Sequence, residues 1–168
     1  HHLSLASLDN QTESALQSRL PQAASTHNPV DMLASASPDD YAMCLDLLLS
    51  DPQVQAVLVI IPPSPVFPTE NIAKSLIPIM KTSSKPVIPI VMGSTLVQAT
   101  FEEFTSNGIP CYPFPERAAS SLAKLADRTD FLNEIRRESP PPPEFDELAV
   151  SNLLSSIQRG TDDPSTGY

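Results

Sequence analysis

The run Val54–Ile61 is the sequence feature that most constrains the fold. It is short, rich in β-branched residues and almost entirely apolar, and it lies between Asp51–Pro52 and Pro62–Pro63. A strand whose two alternating faces are both apolar is typical of a central strand in a parallel sheet that carries helices on both sides. The sequence therefore predicts an α/β fold built around this strand.

The charge and the hydropathy pattern narrow the class of protein. A net charge of −10 over 168 residues repels nucleic acid phosphates and anionic membranes, so we expect neither as a partner. No apolar run approaches the roughly 20 residues of a membrane span, and the N-terminus lacks the pattern of a signal peptide. We therefore expect a cytoplasmic protein. Cys44 and Cys111 lie in apolar segments, which predicts small buried side chains and neither a disulfide nor a metal pair.

Strand and helix patterns alternate along the chain. Strands are predicted at Leu3–Leu8, Val54–Ile61, Val87–Met92 and Ile109–Phe114. Helices are predicted from Asp9 to about Leu20, from a Ser37 cap to Asp51, from a Thr69 cap to about Ile77, from a Ser94 cap to Asn107–Gly108, and from Pro115 to about Arg137, with Ala118, Leu122, Leu125 and Leu132 facing inward. Pro78 should kink or end the third of these helices, and Pro89 should place its strand near an edge or a bulge.

This order predicts a three-layer α/β fold of flavodoxin-like or Rossmann-like type with a parallel sheet. Only about four strands are visible and the first is weak, so the sheet is expected to lack its first βα unit. We place this domain at residues 1–138, a polyproline linker at 139–144, and a linker helix with a disordered tail at 145–168.

Ligands of open parallel sheets bind at the carboxyl ends of the strands. The loops expected at that edge are Thr26–Asp31, Pro62–Ser64, Gly93–Ser94 and Pro115–Arg117. The candidate binding or docking residues within them are Asn28, Pro29, Val30, Asp31, Gly93, Ser94, Glu116 and Arg117.

Two interpretations stay open for the charged and polar candidates. Asn28–Pro29 favours a turn in which Asp31 accepts hydrogen bonds from the amides that follow it, or the same loop docks a partner. Glu116 and Arg117 either serve only the start of their helix or contact a neighbouring domain.

The sequence contains no complete catalytic constellation. None of its four glycines forms a phosphate-binding pattern, and no serine lies in a nucleophile elbow. His27 is the only internal histidine, which excludes a metal site built on several histidines and makes a catalytic triad a poor interpretation. We therefore predict no catalytic residue and no metal ligand in this chain.

A series of short motifs resembles the NDP-forming acyl-CoA synthetases over residues 3–132. The series comprises Leu20–Pro21, Ala24–Ser25, Asn28–Pro29–Val30–Asp31, Tyr41, Asp51–Pro52, Val54–Ile61, Lys85–Pro86, Met92–Gly93, Gly108–Ile109–Pro110 and Pro115–Glu116–Arg117–Ala118. The specificity lies in their order and spacing, because each tripeptide alone is weak. The helix at Phe145–Gly160 is similar to the linker that leads to the ATP-grasp part of those enzymes.

The resemblance implies a role in an ADP-forming acetate–CoA ligase, a type of enzyme related to succinyl-CoA synthetase. Such enzymes convert an acyl-CoA, ADP and phosphate into the acid, ATP and CoA through a phosphohistidine. This chain resembles only their flavodoxin-like ligase subdomain, and His27 does not lie in the phosphohistidine context. CoA, ATP or ADP and Mg are thus expected for the family but not in this chain, and the implied partners are the CoA-binding and ATP-grasp domains, in the same chain or in another subunit.

The leading hypothesis is a scaffold and docking subdomain that is inactive by itself. One alternative is a regulatory synthetase-like module of a protein acetyltransferase, and another is a non-catalytic flavodoxin-like interaction domain. The sequence does not identify the acyl substrate or the preferred nucleotide.

Overall fold

A parallel pair of strands forms the centre of the structure, a computed structural model that describes residues 3–64, 66–93, 97–136 and 146–161, with side chains to residue 155. Strand β1 (Val57–Ile61) pairs with β2 (Val87–Val91), with Val57 opposite Val87 and Ile61 opposite Val91. A helix, α3 (Thr69–Thr82), connects them, as parallel strands require. The predicted α/β fold around a parallel sheet is confirmed.

Five further helices accompany this unit. They are α1 (Asn10–Arg19), α2 (Pro38–Ser50), α4 (Gln98–Ser106), α5 (Pro115–Arg136) and α6 (Glu147–Thr161). The chain divides into two compact units, His1–Thr129 and Asp130–Tyr168. The predicted linker at 139–144, Phe145 and residues 162–168 of the tail predicted to be disordered from Gly160 lie outside the described residues, whereas α6 includes Gly160 and Thr161.

Each face of the sheet packs into its own hydrophobic core. Val57, Ile61 and Val91 join the larger core, which contains buried residues of α1, α2, α3 and α4. Ile88 and Ile90 belong to a smaller core with residues of α5. Because alternate strand residues point to opposite faces, helices lie on both sides of the sheet and produce the predicted three layers.

Two helix boundaries follow directly from local chemistry. Ser37 Oγ accepts a hydrogen bond from the backbone N–H of Asp40 at 3.2 Å, and Asp40 Oδ2 accepts from the N–H of Ser37 at 2.8 Å. This reciprocal pair is a capping box and confirms the predicted start of α2. Gly108 ends α4 with a φ of 74°, and the N–H of Ile109 donates to the carbonyl of Phe104.

The predicted strand at Leu3–Leu8 is wrong, because this segment has no regular secondary structure. Within it, the carbonyl of Ala6 accepts a hydrogen bond from Asn28 Nδ2 at 2.9 Å. Asp9, the first residue after the segment, donates its N–H to Asp51 Oδ2 at 2.8 Å. An alternating pattern forms a strand only where a neighbouring strand can pair with it.

The last of the four predicted strands, Ile109–Phe114, is reduced to one parallel bridge between Ile90 and Tyr112. Tyr112 donates its N–H to the carbonyl of Pro89 and accepts from the N–H of Val91. The backbone N–H and carbonyl groups of residues 87, 89 and 91 therefore point toward this segment, except that Pro89 has no N–H. Pro89 is thus accommodated between β1 and the bridge, with its imino nitrogen facing away from β1.

Helix α3 corrects two further predictions. Pro78 does not end it, because the helix continues to Thr82 with Pro78 on the exposed side. Leu76 and Ile77 are buried next to Pro78, so packing holds the helix together where one backbone hydrogen bond is lost. Thr69 does not act as the cap, since Pro68 holds that position and Thr69 is the first helical residue.

Part of the apolar surface that was expected inside is exposed. Leu125 is 49% exposed and Leu132 is 37% exposed, whereas Ala118 is fully buried against the sheet. Helix α5 has 22 residues and is roughly 33 Å long, so strands of 5 residues cover only part of it. Ile60 in the central strand is also 48% exposed.

Candidate functional site

The carboxyl ends of β1 and β2 meet at Pro63 and Gly93. Gly93 has a φ of +131°, a conformation that side-chain-bearing residues rarely adopt. A Cβ added there would lie 3.0 Å from Cγ of Pro63. Only glycine therefore allows the turn after β2 to approach the turn after β1 this closely.

A cleft of about 360 Å³ opens beside Gly93. Its lining residues are Val91, Gly93, Val97, Gln98, Phe101 and Pro113. The structure thus brings together the turns after both strands and Pro113, two residues before α5. We call the turns Pro62–Ser64, Gly93 and Pro113–Arg117 the carboxyl edge; Ser94, another candidate, lies outside the described residues.

Hydrogen bonds of three hydroxyl groups stabilise the segments next to this edge. Thr69 Oγ1 and Thr100 Oγ1 lie 2.6 Å apart in a buried hydrogen bond that joins the first turn of α3 to α4. Ser64 Oγ accepts from the N–H groups of Val66 and Phe67, at 3.2 and 3.1 Å, and so fixes the proline-rich turn.

The exposed residues of the carboxyl edge combine apolar and charged side chains. Glu116 and Arg117 lie exposed in the first turn of α5, and neither forms an ion pair within the described ranges. Phe114, directly before them, is 57% exposed, as is Val66 in the turn after β1. Phe114 was not among the predicted site residues, because its sequence pattern favours a strand.

The loop predicted at Thr26–Asp31 is held by contacts that include Ser25, and we call Ser25–Asp31 the Asn28 loop. Ser25 and Asp31 exchange two backbone hydrogen bonds at 2.9 and 3.0 Å. Asp31 Oδ1 accepts from the N–H of Leu33 at 2.9 Å, which confirms the predicted bond to a following amide. Leu33 has a φ of 70° in the turn that results.

The Asn28 loop is anchored near the start of α1. His27 Nδ1 lies 2.8 Å from Glu13 Oε1, and the His27 side chain is 72% exposed. Asn28 donates to Ala6, as described above. Pro29 is exposed and Val30 packs at the rim of the larger core. Within the described residues, no hydrogen bond or ion pair connects this loop to Gly93, Glu116 or Arg117, so the predicted residues form two separate groups.

Tyr41 in α2 has a perturbed ionisation. Burial raises the pKa of its phenol, and the negative charge of Asp31 in the Asn28 loop raises that pKa further. The phenol therefore stays neutral well above neutral pH. In the sequence, Tyr41 was singled out as one of the motifs that resemble the synthetases.

Asp51 is a buried charged residue whose role the sequence did not reveal. It is 1% exposed, and its carboxylate accepts from the backbone N–H groups of Asp9 and Gln53, both at 2.8 Å. Burial alone would raise the pKa of Asp51, but these bonds, the Thr12 hydroxyl and the charge of Lys85 lower it below its ordinary value. All of these partners are structural, so Asp51 stabilises the fold near the amino end of β1.

Among the described residues, no three His, Cys, Asp or Glu side chains are grouped as a metal ion would require. Cys44 and Cys111 are free and buried, as predicted, and burial raises the pKa of each thiol to about 11.

None of the helices within the described ranges has the length and apolar character needed to cross a membrane. No protein-family model matches the chain.

Individual proteins do match. The chain is 38% identical over 132 residues to the alpha subunit of acetate–CoA ligase (ADP-forming) II of Pyrococcus furiosus, covering 75% of this chain and 28% of that subunit. It is 27% identical to the acetate–CoA ligase (ADP-forming) of Methanocaldococcus jannaschii, covering 93% of this chain and 24% of the relative. The chain thus spans about a quarter of the length of these relatives.

Solved structures agree with this relationship. A crystal structure of a protein from Pyrococcus horikoshii matches with a TM-score of 0.63 and 36% identity, over 68% of this chain and 27% of that one. The acetyl-coenzyme A synthetase 1 of Ca. Korarchaeum cryptofilum, solved in complex with phosphate and ADP, matches with a TM-score of 0.65 and 28% identity, over 71% of this chain and 26% of that one. The chain is therefore homologous to part of the ADP-forming acetate–CoA ligases and corresponds to a partial flavodoxin-like domain.

Proposed function

We propose that this chain is a scaffold and docking subdomain of an ADP-forming acyl-CoA synthetase. The enzyme's reaction, acyl-CoA with ADP and phosphate to the acid, ATP and CoA, proceeds through a phosphohistidine located elsewhere. Its partners are the CoA-binding and ATP-grasp domains of the same enzyme, which also carry the sites for CoA, nucleotide and Mg. The enzyme works in the cytoplasm.

The observation that carries this proposal is the composition of the carboxyl edge. Phe114 and Arg117 are both exposed, and Pro113, directly before Phe114, lines the cleft beside Gly93. Aromatic and arginine side chains dominate the energetics of protein interfaces. An exposed aromatic–arginine pair of this kind supports docking over chemistry.

The Asn28 loop offers a second candidate docking surface. Its backbone is fixed by the Ser25–Asp31 bridge, so it presents His27, Pro29 and Asp31 at little entropic cost. The matched relatives are ligases and synthases, which favours this assignment over the regulatory module of an acetyltransferase.

Reconstitution tests the proposal. The CoA-binding and ATP-grasp domains of the enzyme are assayed for ATP formation from acetyl-CoA, ADP and phosphate, with and without this chain added. We expect turnover only when the chain is present together with those domains. Turnover by the chain alone would refute the scaffold role, and full activity of the other domains without it would refute the docking role.

Matched variants locate the docking surface. We expect F114A and R117A to raise the chain concentration that gives half-maximal activity by about 10-fold or more, as loss of a strong interface contact does. R128A, another exposed arginine on α5, serves as the control. For the Asn28 loop, D31N keeps the acceptor for the Leu33 amide and removes the charge, and D39N is its exposed control. Equal effects of R117A and R128A would exclude the carboxyl edge as the docking surface.

A further inference from the structure

The end of α4 contains a chemically reactive pair of residues. Of the six asparagines in the sequence, only Asn107 is followed by a glycine. In such a pair the backbone nitrogen of the glycine attacks the side-chain amide carbon of the asparagine, because glycine has no side chain that blocks the attack. The pair Asn107–Gly108 is therefore a candidate for spontaneous deamidation.

The reaction forms a cyclic imide and releases ammonia. A bond forms between the backbone nitrogen of Gly108 and Cγ of Asn107, and the bond from Cγ to Nδ2 breaks. The proton that the Gly108 nitrogen loses leaves with Nδ2 as ammonia. Water then opens the imide at either of its carbonyls and gives aspartate or isoaspartate, so water is the only co-reactant.

The folded backbone keeps the attacking nitrogen away from its target. Asn107 has a ψ of 8°, which turns the nitrogen of Gly108 toward the backbone nitrogen of Asn107 and away from its side chain. The N–H of Gly108 also donates to the carbonyl of Thr105 at 3.0 Å. Beyond its chain neighbours, a Cβ added at Gly108 would meet no atom within 4 Å, so hydrogen bonds and not packing hold this turn. Attack therefore requires the last turn of α4 to open.

The side-chain amide of Asn107 is bonded at both of its ends. Lys81 Nζ, at the end of α3, donates to Asn107 Oδ1 at 2.8 Å. Asn107 Nδ2 donates to the carbonyl of Glu103 at 2.9 Å, and Glu103 Oε1 lies 3.4 Å from the same nitrogen. Rotation of the amide toward Gly108 breaks these bonds, and the bond from Lys81 is the stronger one because its donor is charged.

We propose that Asn107 is a deamidation site of the folded chain and that Lys81 sets its rate by holding the side-chain amide in place. The product fits this position less well than asparagine does. An aspartate at position 107 keeps Lys81 as a partner but has no proton for the Glu103 carbonyl. It also lies beside the Glu103 carboxylate at the negative end of the helix dipole. Deamidation therefore loosens the end of α4, and this inference is independent of the proposed docking role.

Peptide mapping by mass spectrometry tests the site and its control by Lys81. The 168-residue chain is incubated in buffer and in guanidinium chloride, together with K81M and with K74M, a matched variant of an exposed lysine on α3. We expect Asn107 to deamidate more slowly in buffer than in guanidinium chloride. K81M should raise the rate in buffer by about 10-fold, as loss of one charged hydrogen bond does, and leave the rate in guanidinium chloride unchanged. Hydrogen exchange of the Gly108 amide should accelerate by the same factor, since both rates report the same opening.

Three results would overturn the inference. Asn133, exposed on α5 and followed by glutamate, should stay intact, and its deamidation at the rate of Asn107 would refute the assignment of the site. Equal rates for K81M and K74M in buffer would exclude control by Lys81. A slower reaction in K81M would also contradict the proposal, because Lys81 would then activate the amide and not restrain it.

Discussion

At the scale of single residues, Asp51 and Gly93 determine how the turns around the sheet are placed. Asp51 connects the start of α1, the end of α2 and the approach to β1 through one carboxylate. Gly93 allows the close approach of two strand ends. One acts by charge and hydrogen bonding and the other by the absence of a side chain, and each gives a distinct prediction.

The buried carboxylate of Asp51 predicts a pH-dependent stability. We expect D51N to lower the free energy of unfolding by about 1–3 kcal/mol at neutral pH, because charge-assisted bonds to buried amides are lost. Since the folded pKa of Asp51 is lowered, its stabilisation is complete above the unfolded pKa of about 3.9 and is lost as the pH falls through the folded pKa. Urea denaturation at neutral and at acidic pH measures both effects.

The control for Asp51 is D46N, an exposed aspartate in the same region of α2. The wild type and D46N should lose stability in parallel on acidification, and the difference between wild type and D51N should shrink. A difference that stays constant with pH would show that the Asp51 carboxylate contributes by shape and not by charge.

The backbone at Gly93 predicts that G93A lowers the free energy of unfolding more than G108A does. G108A meets no atom within 4 Å and should cost about 1–2 kcal/mol for its φ of +74° alone. G93A should cost more, because its Cβ also meets Pro63 at 3.0 Å. Thermal or urea unfolding compares the two variants, and an equal cost would mean that the turn after β1 moves away freely.

At the scale of elements, the helices were easier to predict than the strands. The start of α2 follows from Ser37 and Asp40, and the end of α4 follows from Gly108, because both depend on local chemistry. The segments 3–8 and 109–114 were wrongly predicted as strands, since pairing depends on partners that local sequence does not encode. Pro78 was misread for a similar reason, because the packing of Leu76 and Ile77 decides its effect.

In the candidate site too, local features were predicted better than those that depend on distant contacts. The sequence predicted Gly93, Glu116 and Arg117 at the carboxyl edge, and Gly93 does lie next to Pro63 in the turn after β1. It did not separate the Asn28 loop from that edge, because the bonds of His27 to Glu13 and of Asn28 to Ala6 are long-range contacts between side chains and distant elements.

The contact between α3 and α4 predicts that substitutions of its two threonines have non-additive effects on the free energy of unfolding. Thr69 and Thr100 are both buried and share one hydroxyl–hydroxyl bond. T69V or T100V alone leaves a buried hydroxyl unsatisfied and should cost about 1–3 kcal/mol. The double variant should cost less than the sum of the single variants, since neither hydroxyl then remains. A double-mutant cycle by urea denaturation checks this, and strict additivity would contradict the bond.

At the scale of the whole molecule, the chain is an α/β sheet domain that matches about a quarter of its relatives' length. Its described side chains include buried structural groups and exposed edge residues but no grouped metal ligands. The proposed docking function depends on one physical claim, that Phe114 and Arg117 at the carboxyl edge contact the other domains of the enzyme.

Direct binding tests this claim most closely. Isothermal titration calorimetry measures the affinity of the chain for the CoA-binding and ATP-grasp domains of the same enzyme, with R117A and R128A in parallel. We predict a saturable complex that R117A weakens by about 10-fold, or about 1.4 kcal/mol, and R128A leaves unchanged. Absence of a complex with the wild-type chain, or equal weakening by both variants, would contradict the account.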